Sequence, residues 1–386
     1  MKPNIIHSIV VCLAAFALPF MVACSSQEES LPEEISEAIL YLNIEPVGLT
    51  RAGTATLPDN EKMHSVRVIV LHENGTVEHN KFYSLDGAQV QRAILLKVTP
   101  DEKKKIYLFA NEESVSAVEG VADVNSTLSA FFHTYVEGMS GFEDAVNGLY
   151  FAPDYSAGKP IPMSSMYEID FPEKGNFDGV FYVVRVATKF TVNFKNWRGE
   201  EVTVENFSIE SHADKNFLMA HVNSYPDTQN PETNQKYPTW IDWLKAVSDA
   251  SNVDSDAATN RFGWLTDYEL PEQSTATIYT HGKVTVGKPT VDIDNPDNSK
   301  PGVASVVPVF YLPESKNLKA GATEQEYTLS INIVGRAETF VCKLDKLKAL
   351  FRNTHLVVNI TMYNSNEIVV DVIPYSEVIL EPEFGL

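Results

Sequence analysis

The sequence has little cysteine. Among 386 residues there are three, and two of them, Cys12 and Cys24, fall in the first 24 positions, which leaves Cys342 near the C terminus. A chain with one cysteine beyond its leader cannot form an internal disulfide. Its stability must therefore come from packing, and its length is ample for two hydrophobic cores.

Basic residues are also scarce. The chain has 30 Lys and Arg against 52 Asp and Glu, which gives a formal net charge of -22 at pH 7. Nucleic acids are bound through basic patches that neutralise phosphates, so this balance argues against a nucleic-acid partner. An acidic surface instead suits a secreted protein that must not associate prematurely.

Catalytic motifs are missing as well. The sequence has no HExxH zinc motif, no GxSxG nucleophile elbow and no glycine-rich phosphate loop, and its nine His are scattered. Asp292, Asp294 and Asp297 resemble a calcium loop, but their spacing differs from that of helix–loop–helix sites and favours a turn. We therefore expect no enzymatic activity, no cofactor and no metal.

The one long apolar run lies at the N terminus. Residues 5–22 are almost wholly apolar and lead into Ala23-Cys24, which precedes a polar, acidic stretch. Small residues before such a Cys are typical of a lipoprotein signal peptide, whereas the alternative is an uncleaved signal anchor. We predict a signal peptide over residues 1–23. Acyl chains such as palmitate on Cys24 would then tether an outer-membrane precursor.

A single apolar strand is predicted after the polar tether. In the segment 38–45, Leu40, Leu42 and Ile44 all lie on one face. Alternation of this kind is typical of a strand that buries one side.

A protease site is predicted in the loop that follows. Arg51-Ala52 lies 27 residues after Cys24 (51 minus 24), among Gly and Thr residues. An Arg in an exposed loop is a site that an arginine-specific protease can cut, and the alternative is an ordinary solvated Arg. Cutting there would make residues 24–51 a propeptide and would remove the lipid together with the strand.

The body of the sequence is predicted to be β-structure. About fifteen segments rich in β-branched and aromatic residues are separated by turn signals, and helices are expected only in short pieces such as 113–148. This pattern predicts an all-β fold of two tandem β-sandwiches, transthyretin-like or Greek-key in topology, with short helices. We place the domains at residues 52–175 and 176–386, with a long insertion at 222–270 that contains a helix candidate at 240–250.

Several segments together carry a resemblance to a known family. They are Cys24 with its small preceding residues, Thr50-Arg51-Ala52, Val66 to Val70, Asn74-Gly75, Ile161-Pro162-Met163-Ser164-Ser165, Val184 to Val192, and Arg352 to Ile360. No one of them is specific alone, but their order over nearly the whole chain resembles the fimbrillins. These are the lipoprotein-derived type V pilins of anaerobic gut and oral bacteria of the Bacteroidales type.

The resemblance implies a way of assembly. Fimbrillins are exported as lipidated precursors, and an arginine-specific protease removes their N-terminal strand, here the one that contains Leu40, Leu42 and Ile44. Removal leaves a groove whose backbone groups and apolar floor are a template for another strand. The C-terminal segment of a second subunit fills it by strand addition in trans.

The sequence offers such a donor strand near its end. Ile368, Val370 and Val372 alternate on one face, and Val378 and Leu380 continue the pattern in an arm over about residues 364–386. Pro374, which interrupts the run, permits an arm that leaves its own domain. A chain with a groove at one end and a donor at the other makes contacts that do not close, and so forms a filament.

The expected function is therefore that of an adhesive pilus subunit, whose partners are other pilin subunits, an arginine-specific protease and the outer membrane of the precursor stage. The expected location is the outer membrane first and an extracellular fimbrium afterwards. A fimbrial anchor or tip subunit is the nearest alternative. A surface glycan-binding lipoprotein is another, in which tryptophans would form a sugar platform at Trp197, Trp240, Trp243 and Trp264.

Overall fold

The fold is taken from a computed structural model. It describes residues 38–46, 57–121, 126–156, 158–172, 175–210, 213–222, 268–269, 278–306, 308–315, 327–344, 350–363 and 367–373.

The described part of the chain is almost wholly β-structure. Its first eight strands are β1 (Ala38–Pro46), β2 (Met63–Leu71), β3 (Val77–Gln89), β4 (Arg92–Val98), β5 (Lys103–Ala110), β6 (Tyr150–Phe151), β7 (Met163–Asp170) and β8 (Asn176–Arg185). Two short helices, α1 (Leu128–His133) and α2 (Phe142–Gly148), lie between β5 and β6. The predicted all-β class and the short helices within 113–148 are confirmed.

Thirteen further strands follow in the described residues. They are β9 (Thr188–Asn196), β10 (Val202–Glu210), β11 (Asn216–Phe217), β12 (His221–Val222), β13 (Tyr268–Glu269), β14 (Ile278–His281), β15 (Val284–Val286), β16 (Gly302–Ser305), β17 (Phe310–Leu312), β18 (Thr328–Ile333), β19 (Phe340–Lys343), β20 (Thr354–Met362) and β21 (Ile368–Ile373). The predicted helix at 240–250 lies outside the described residues.

Seven strands form the first sheet, in the order β3-β2-β5-β7-β8-β1-β4. β3 and β4 are at opposite ends of this order, yet His79 of β3 donates a hydrogen bond to the carbonyl of Lys97 in β4 at 2.6 Å. Beside it, the backbone N–H of Thr99 donates to Glu78 at 2.5 Å. The sheet therefore closes over on itself, and the inward faces of its strands share one core.

A second apolar layer covers the other face of β2 and β5. Ile69 and Tyr107, from these two strands, pack with aromatic residues of α1 and α2. The ring of Phe142 meets that of Tyr107 edge to face with centroids 5.2 Å apart, and Phe109 and Phe132 are 4.5 Å apart. Because both faces of the central strands are buried, these strands read as continuous apolar runs.

The second half of the chain forms a sandwich of two sheets. One sheet has the order β14-β10-β18-β19 with β15 beside β10, and the other has the order β16-β9-β20-β21 with β17 beside β9. Side chains from both sheets, such as Phe194, Phe207, Ile331 and Val358, meet in one core. Two packed antiparallel-rich layers around one core are a β-sandwich, as predicted for this half.

The change from the first sheet to the second sandwich falls after Arg185 rather than at residue 175. β8, predicted to open the second domain, pairs with β1 and β7 in the first sheet. The apolar segment 181–194 belongs to two strands, β8 and β9, which lie in different sheets. Its break at Val186-Ala187 is fully buried and contains neither Gly nor Pro, so the sequence carries no turn signal there.

Buried polar contacts join the first sheet to the second sandwich. Glu61, on a short 3-10 turn before β2, accepts a hydrogen bond from the Tyr311 hydroxyl at 2.5 Å and pairs with Lys189 at 2.8 Å. Arg185 donates to the Glu61 carbonyl and, at 3.0 Å, to Asn353. Burial alone would raise the pKa of Glu61, but Arg185 and Lys189 outweigh it and hold the pKa below its ordinary value.

Glu61→Gln should lower the free energy of unfolding by about 3 kcal/mol, because it removes the buried carboxylate that pairs with Lys189. A carboxyl with a lowered pKa stabilises the fold above its unfolded value of 4.5 and loses this effect as the pH falls through its folded value. Urea unfolding at pH 7 and at pH 4 measures both effects.

Asp59→Asn is the matched control for this prediction. Asp59 lies on the same turn as Glu61, but its side chain is 80% exposed. The control should change stability little. Equal losses in the two variants would contradict a role for the buried carboxylate.

Candidate functional site

The predicted N-terminal strand lies inside the first sheet. β1 runs antiparallel to β4 on one side and parallel to β8 on the other. In this register Leu42 lies between Ile94 of β4 and Gly179 of β8. We call the space that β1 occupies, bounded by β4 and β8, the β1 slot.

The inward face of β1 is an apolar row. Leu40, Leu42 and Ile44 are at most 1% exposed and belong to the first core. Burying three such side chains contributes roughly 1.5–3 kcal/mol each. The three residues that the sequence predicts to be displaced are therefore packed together, and they hold β1 in the slot.

Aromatic rings from β8 shape the slot. Phe177 and Phe181 pair with Leu40 and Ile44, and Gly179 lies between them opposite Leu42. A Cβ at Gly179 would lie 3.2–3.3 Å from both rings, tighter than ordinary contact. The absence of a side chain at Gly179 therefore leaves room for both rings. The two rings form part of the apolar floor of the slot.

β4 depends on β1 for its place in the sheet. It is the last strand of the order, so β1 is its only ladder partner among the described strands. It is also joined to β3 by a tight connection, by the bond between His79 and the Lys97 carbonyl, and by the Arg92 guanidinium over the ring of Tyr83. Departure of β1 would therefore expose backbone groups of both β4 and β8 and uncover the apolar floor between them.

The outward face of β1 is held less firmly. Tyr41 is 36% exposed, and Asn43 donates to Asp178 of β8 at a long 3.3 Å. Partial burial raises the pKa of Glu45 above its ordinary value. The attachment of β1 therefore rests on its three inward aliphatic residues and its backbone bonds.

Leu42→Ala should lower the free energy that holds β1 in the slot by about 2–5 kcal/mol, because the substitution leaves a cavity there. In the uncut precursor, backbone amides of β1 and its neighbours should then exchange hydrogen faster. Exchange followed by mass spectrometry measures this. Tyr41→Ala, on the exposed face of the same strand, should leave the exchange nearly unchanged. Equal acceleration by both variants would show that the inward row does not hold the strand.

The C-terminal strand is at an edge of the second sandwich. β21 pairs antiparallel with β20 over six positions and has no second partner among the described strands. Ile368 and Val370 pack against the second core, and Val369 on the opposite face is 43% exposed. Val372 pairs with Val358 in the same ladder. Of the predicted donor residues, these three therefore lie in their own sheet.

No protein-family model matches the sequence, and no curated protein matches it. Solved structures do. The C-terminally truncated tip fimbrial protein Mfa3 from Porphyromonas gingivalis matches with a TM-score of 0.48 and 12% identity, over 87% of this chain and 99% of that one. A fimbrial assembly protein from Parabacteroides distasonis matches with a TM-score of 0.43 and 10% identity, over 88% and 98%.

These matched structures are fimbrial proteins. This is the class of protein that the sequence resemblance predicted.

Several predicted site residues lie outside the described residues. They are Cys24, Arg51, Ala52, Val378 and Leu380. Lipidation at Cys24 and cutting at Arg51 therefore stay predictions.

The sequence did not predict that β4 and β8 border the slot. β4 presents Ile94, Leu96 and Val98 to the core in strict alternation. That alternation was a usable signal, but Leu95, an apolar residue that is 51% exposed, interrupts it. No local sequence pattern indicates that Phe177 and Phe181 of β8 line the slot, because the pairing of β8 with β1 joins segments far apart in the sequence.

One cluster among the described residues has the composition of a metal site. His72, Glu78 and Glu102 lie close enough together to share an ion. The ammonium of Lys104, a fully buried side chain, is 2.6 Å from Glu78 and also contacts Glu102. The lysine already bonds both carboxylates and balances part of their charge, so the arrangement is a partly buried ion-pair network.

The acidic loop near residue 292 is a turn in the structure. The carboxylate of Asp292 accepts hydrogen bonds from the backbone N–H groups of Asp294 at 3.1 Å and Asn295 at 2.9 Å. Asp side chains that accept hydrogen bonds from backbone N–H groups two or three residues later are typical of turns.

Among the described helices none is long and apolar enough to cross a bilayer.

A tryptophan platform is not visible in the described residues. Trp197 is half-buried, and the other three tryptophans lie outside the described residues. A cavity of about 690 Å³ near the junction of the sandwiches is lined instead by tyrosines and prolines, with Tyr279 stacked on Phe310 at 4.0 Å between ring centroids. Its lining includes residues of both sandwiches, among them Tyr155 and Tyr311.

Proposed function

We propose that the chain is a structural subunit of a cell-surface fimbria and that it polymerises by strand exchange. The observation that carries the proposal is the place of β1. This strand is internal to the first sheet, yet only the segment 47–56, which contains Arg51, joins it to the rest of the described chain. A single cut in that segment would turn an integral strand into a removable one.

The sequence of events follows from the geometry of the slot. The exported precursor, with acyl chains on Cys24, keeps β1 in place, so both β4 and β8 are paired and the subunit cannot accept a partner. Cutting at Arg51 leaves β1 held by non-covalent contacts alone. When it departs, the slot offers two ladders of backbone groups and an apolar floor to a strand from a second subunit.

The replacing strand must restore what β1 supplied. It must run antiparallel to β4 and parallel to β8, and it must place aliphatic side chains where Leu40 and Leu42 were. The C-terminal arm of the chain has such alternation. Because acceptor and donor lie on different parts of one subunit, each joint leaves a free slot and a free donor, and the assembly grows as a filament.

The same geometry separates the positions that a subunit can take in a fimbria. An anchor subunit would keep its lipid and its β1, and a tip adhesin would need the slot but no donor. This chain has a removable β1 and an alternating C-terminal arm, which favours a polymerising shaft or accessory subunit. Adhesion would follow from display of such subunits at the cell surface, and the proposal assigns no catalytic reaction.

The proposal is tested by treating the purified precursor with an arginine-specific protease. The expected result is loss of the N-terminal segment followed by a ladder of polymers that resists SDS. A cut precursor that stays monomeric over a wide range of concentrations would refute assembly by strand exchange.

A further inference from the structure

The cavity near the junction of the two sandwiches has the size of a ligand site. Its volume is about 690 Å³, and ligand pockets in proteins have volumes of roughly 300–1,000 Å³. We call it the tyrosine cavity, after Tyr155, Tyr279 and Tyr311 in its lining. No residue of β1, β4 or β8 is found in its described lining, so the cavity is separate from the β1 slot.

One aromatic ring of the cavity is backed by another. The ring of Tyr279 on β14 stacks on that of Phe310 on β17, with centroids 4.0 Å apart and planes inclined by 13°. Phe310 belongs to the second core, whereas Tyr279 is half-buried. Because Phe310 covers one face of the Tyr279 ring, a ligand in the cavity can meet only the opposite face or the edge.

The other two tyrosines are fixed by their hydroxyl groups. Tyr155 donates a hydrogen bond to the carbonyl of Val186, and Tyr311 donates to Glu61 at 2.5 Å. Both hydroxyls are therefore bonded within the protein, and the rings supply apolar surface to the cavity. Four prolines with restricted backbones add to this lining at Pro58, Pro153, Pro308 and Pro313. A lining of this kind is formed before a ligand arrives, which lowers the cost of binding.

Two polar side chains in the lining are available to a ligand. Burial lowers the pKa of His281, so its imidazole is neutral at pH 7, with one N–H donor and one acceptor nitrogen. Its Nδ1 is 3.3 Å from the Tyr279 hydroxyl, which leaves Nε2 for another partner. Asp214 is exposed, and within the described residues no hydrogen bond to its carboxylate is found.

These groups together select the chemistry of the ligand. The described lining contains no Lys or Arg, so an anionic ligand would find no opposite charge there. A polyproline segment offers carbonyl acceptors, which cannot pair with the acceptor-only carboxylate of Asp214. A quaternary ammonium ion would suit the aromatic rings, but it would leave the Nε2 of His281 without a hydrogen-bond partner.

A sugar ring meets all of these conditions. The C–H bonds on one face of a pyranose are attracted to the negative face of an aromatic ring such as Tyr279. Its hydroxyl groups both donate and accept, so they can pair with the carboxylate of Asp214 and with the imidazole of His281.

We propose that the tyrosine cavity binds a neutral carbohydrate, with one pyranose face on the ring of Tyr279 and its hydroxyl groups bonded to Asp214 and His281. The site differs from a tryptophan platform, because no tryptophan is found in its described lining. The inference goes beyond the proposed function and does not depend on it, since the cavity is present with β1 still in its slot. A fimbrial subunit with such a site would attach to glycans on another surface.

Saturation-transfer NMR on the uncut chain tests the proposal. The probes are maltotriose, mannotriose and galactotriose as neutral sugars, with sialyllactose, acetylcholine and a polyproline peptide as the competing classes. We expect saturation transfer to at least one neutral sugar and to none of the competing probes. No transfer to any of the neutral sugars, or equal transfer to a competing probe, would overturn the proposal.

Substitutions in the lining show whether the sugar occupies this cavity. Asp214→Asn should weaken binding of the sugar about tenfold, because it removes a charged hydrogen-bond acceptor. Tyr279→Leu should weaken binding by a similar factor, because it keeps apolar volume and removes the flat ring. Tyr279→Phe keeps the ring and should bind nearly as the parent chain does. Titration calorimetry measures the dissociation constants.

Asp297→Asn is the matched control for the charge. Asp297 is also an exposed acid, but it is not in the described lining, and its substitution should leave the affinity unchanged. Because Asp214 is exposed, Asp214→Asn should unfold at the temperature of the parent and keeps the test valid if Tyr279→Leu folds poorly. Unchanged affinity in Asp214→Asn, or an equal loss in Asp297→Asn, would overturn the proposal. None of these measurements involves cutting or polymerisation, so their failure leaves the proposed function standing.

Discussion

Arg51→Lys should leave the precursor without a polymer ladder after treatment with an arginine-specific protease. The substitution keeps the positive charge and removes only the protease's specific side chain, so β1 stays covalently attached and the slot stays filled. We expect loss of essentially all polymer, because the uncut strand is held both by its chain connection and by the buried row of Leu40, Leu42 and Ile44. Denaturing gels of unheated samples measure the result.

Two controls belong with this variant. Arg336→Lys, a half-buried arginine in the turn after β18, should polymerise like the parent chain. Limited treatment of Arg51→Lys with a lysine-specific protease should restore the ladder, since the cut is then made at the same place. Normal polymers from Arg51→Lys with the arginine-specific protease would show that processing occurs elsewhere or is not needed.

Deleting residues 374–386 should turn the cut subunit into a chain terminator. The variant keeps the slot, and keeps β21 over the second core, but it lacks the end of the C-terminal arm that we propose as the donor. Alone it should stay monomeric. Mixed with intact subunits, it should shorten polymers in proportion to its share, because it accepts a strand and offers none. The length distribution is read from gels or electron micrographs.

The same deletion in an uncut precursor is the matched control. There β1 still fills the slot, so the variant can neither accept nor donate and should not shorten polymers of intact subunits. Unchanged polymer length with the cut variant would count against the C-terminal arm as donor. The longer deletion of residues 367–386 is a poorer probe, because it also removes the contacts of Ile368 and Val370 with the second core.

The sequence predicted those parts of the site that depend on local alternation. The strand of Leu40, Leu42 and Ile44 could be recognised because one face is apolar and the other is mixed, which is the period of a half-buried strand. The same reasoning identified β21 through Ile368 and Val370. Asn74-Gly75, in the turn between β2 and β3, is a signal of the same local kind, because it lies within a few residues.

Features that depend on long-range pairing could not be predicted in the same way. The parallel pairing of β1 with β8 joins Ile39 to Asn176, and no local pattern specifies such a partner. The change of sheet after β8 gave no signal, because Val186-Ala187 continues an apolar run across it. Glu61 has the appearance of a surface acid on a turn, and only the fold brings it to Lys189 in the second sandwich.

The contacts of Glu61 between the two sandwiches also hold the chain close to the proposed cut. Glu61 follows Arg51 closely in the sequence and is fixed between the two sandwiches by Tyr311 and Lys189. The part of the chain that remains after cutting is therefore anchored before β2 begins. Loss of β1 would open the slot without releasing the new N-terminal segment from the fold.

The identity of the strand between β4 and β8 in assembled polymers is the most direct test. Electron cryomicroscopy at side-chain resolution can distinguish the possible occupants by their inward residues. We expect density for the C-terminal arm of a neighbouring subunit, with aliphatic side chains of that arm in the places of Leu40 and Leu42 and no residue of β1. Density for β1 of the same subunit in every slot of the polymer would contradict it.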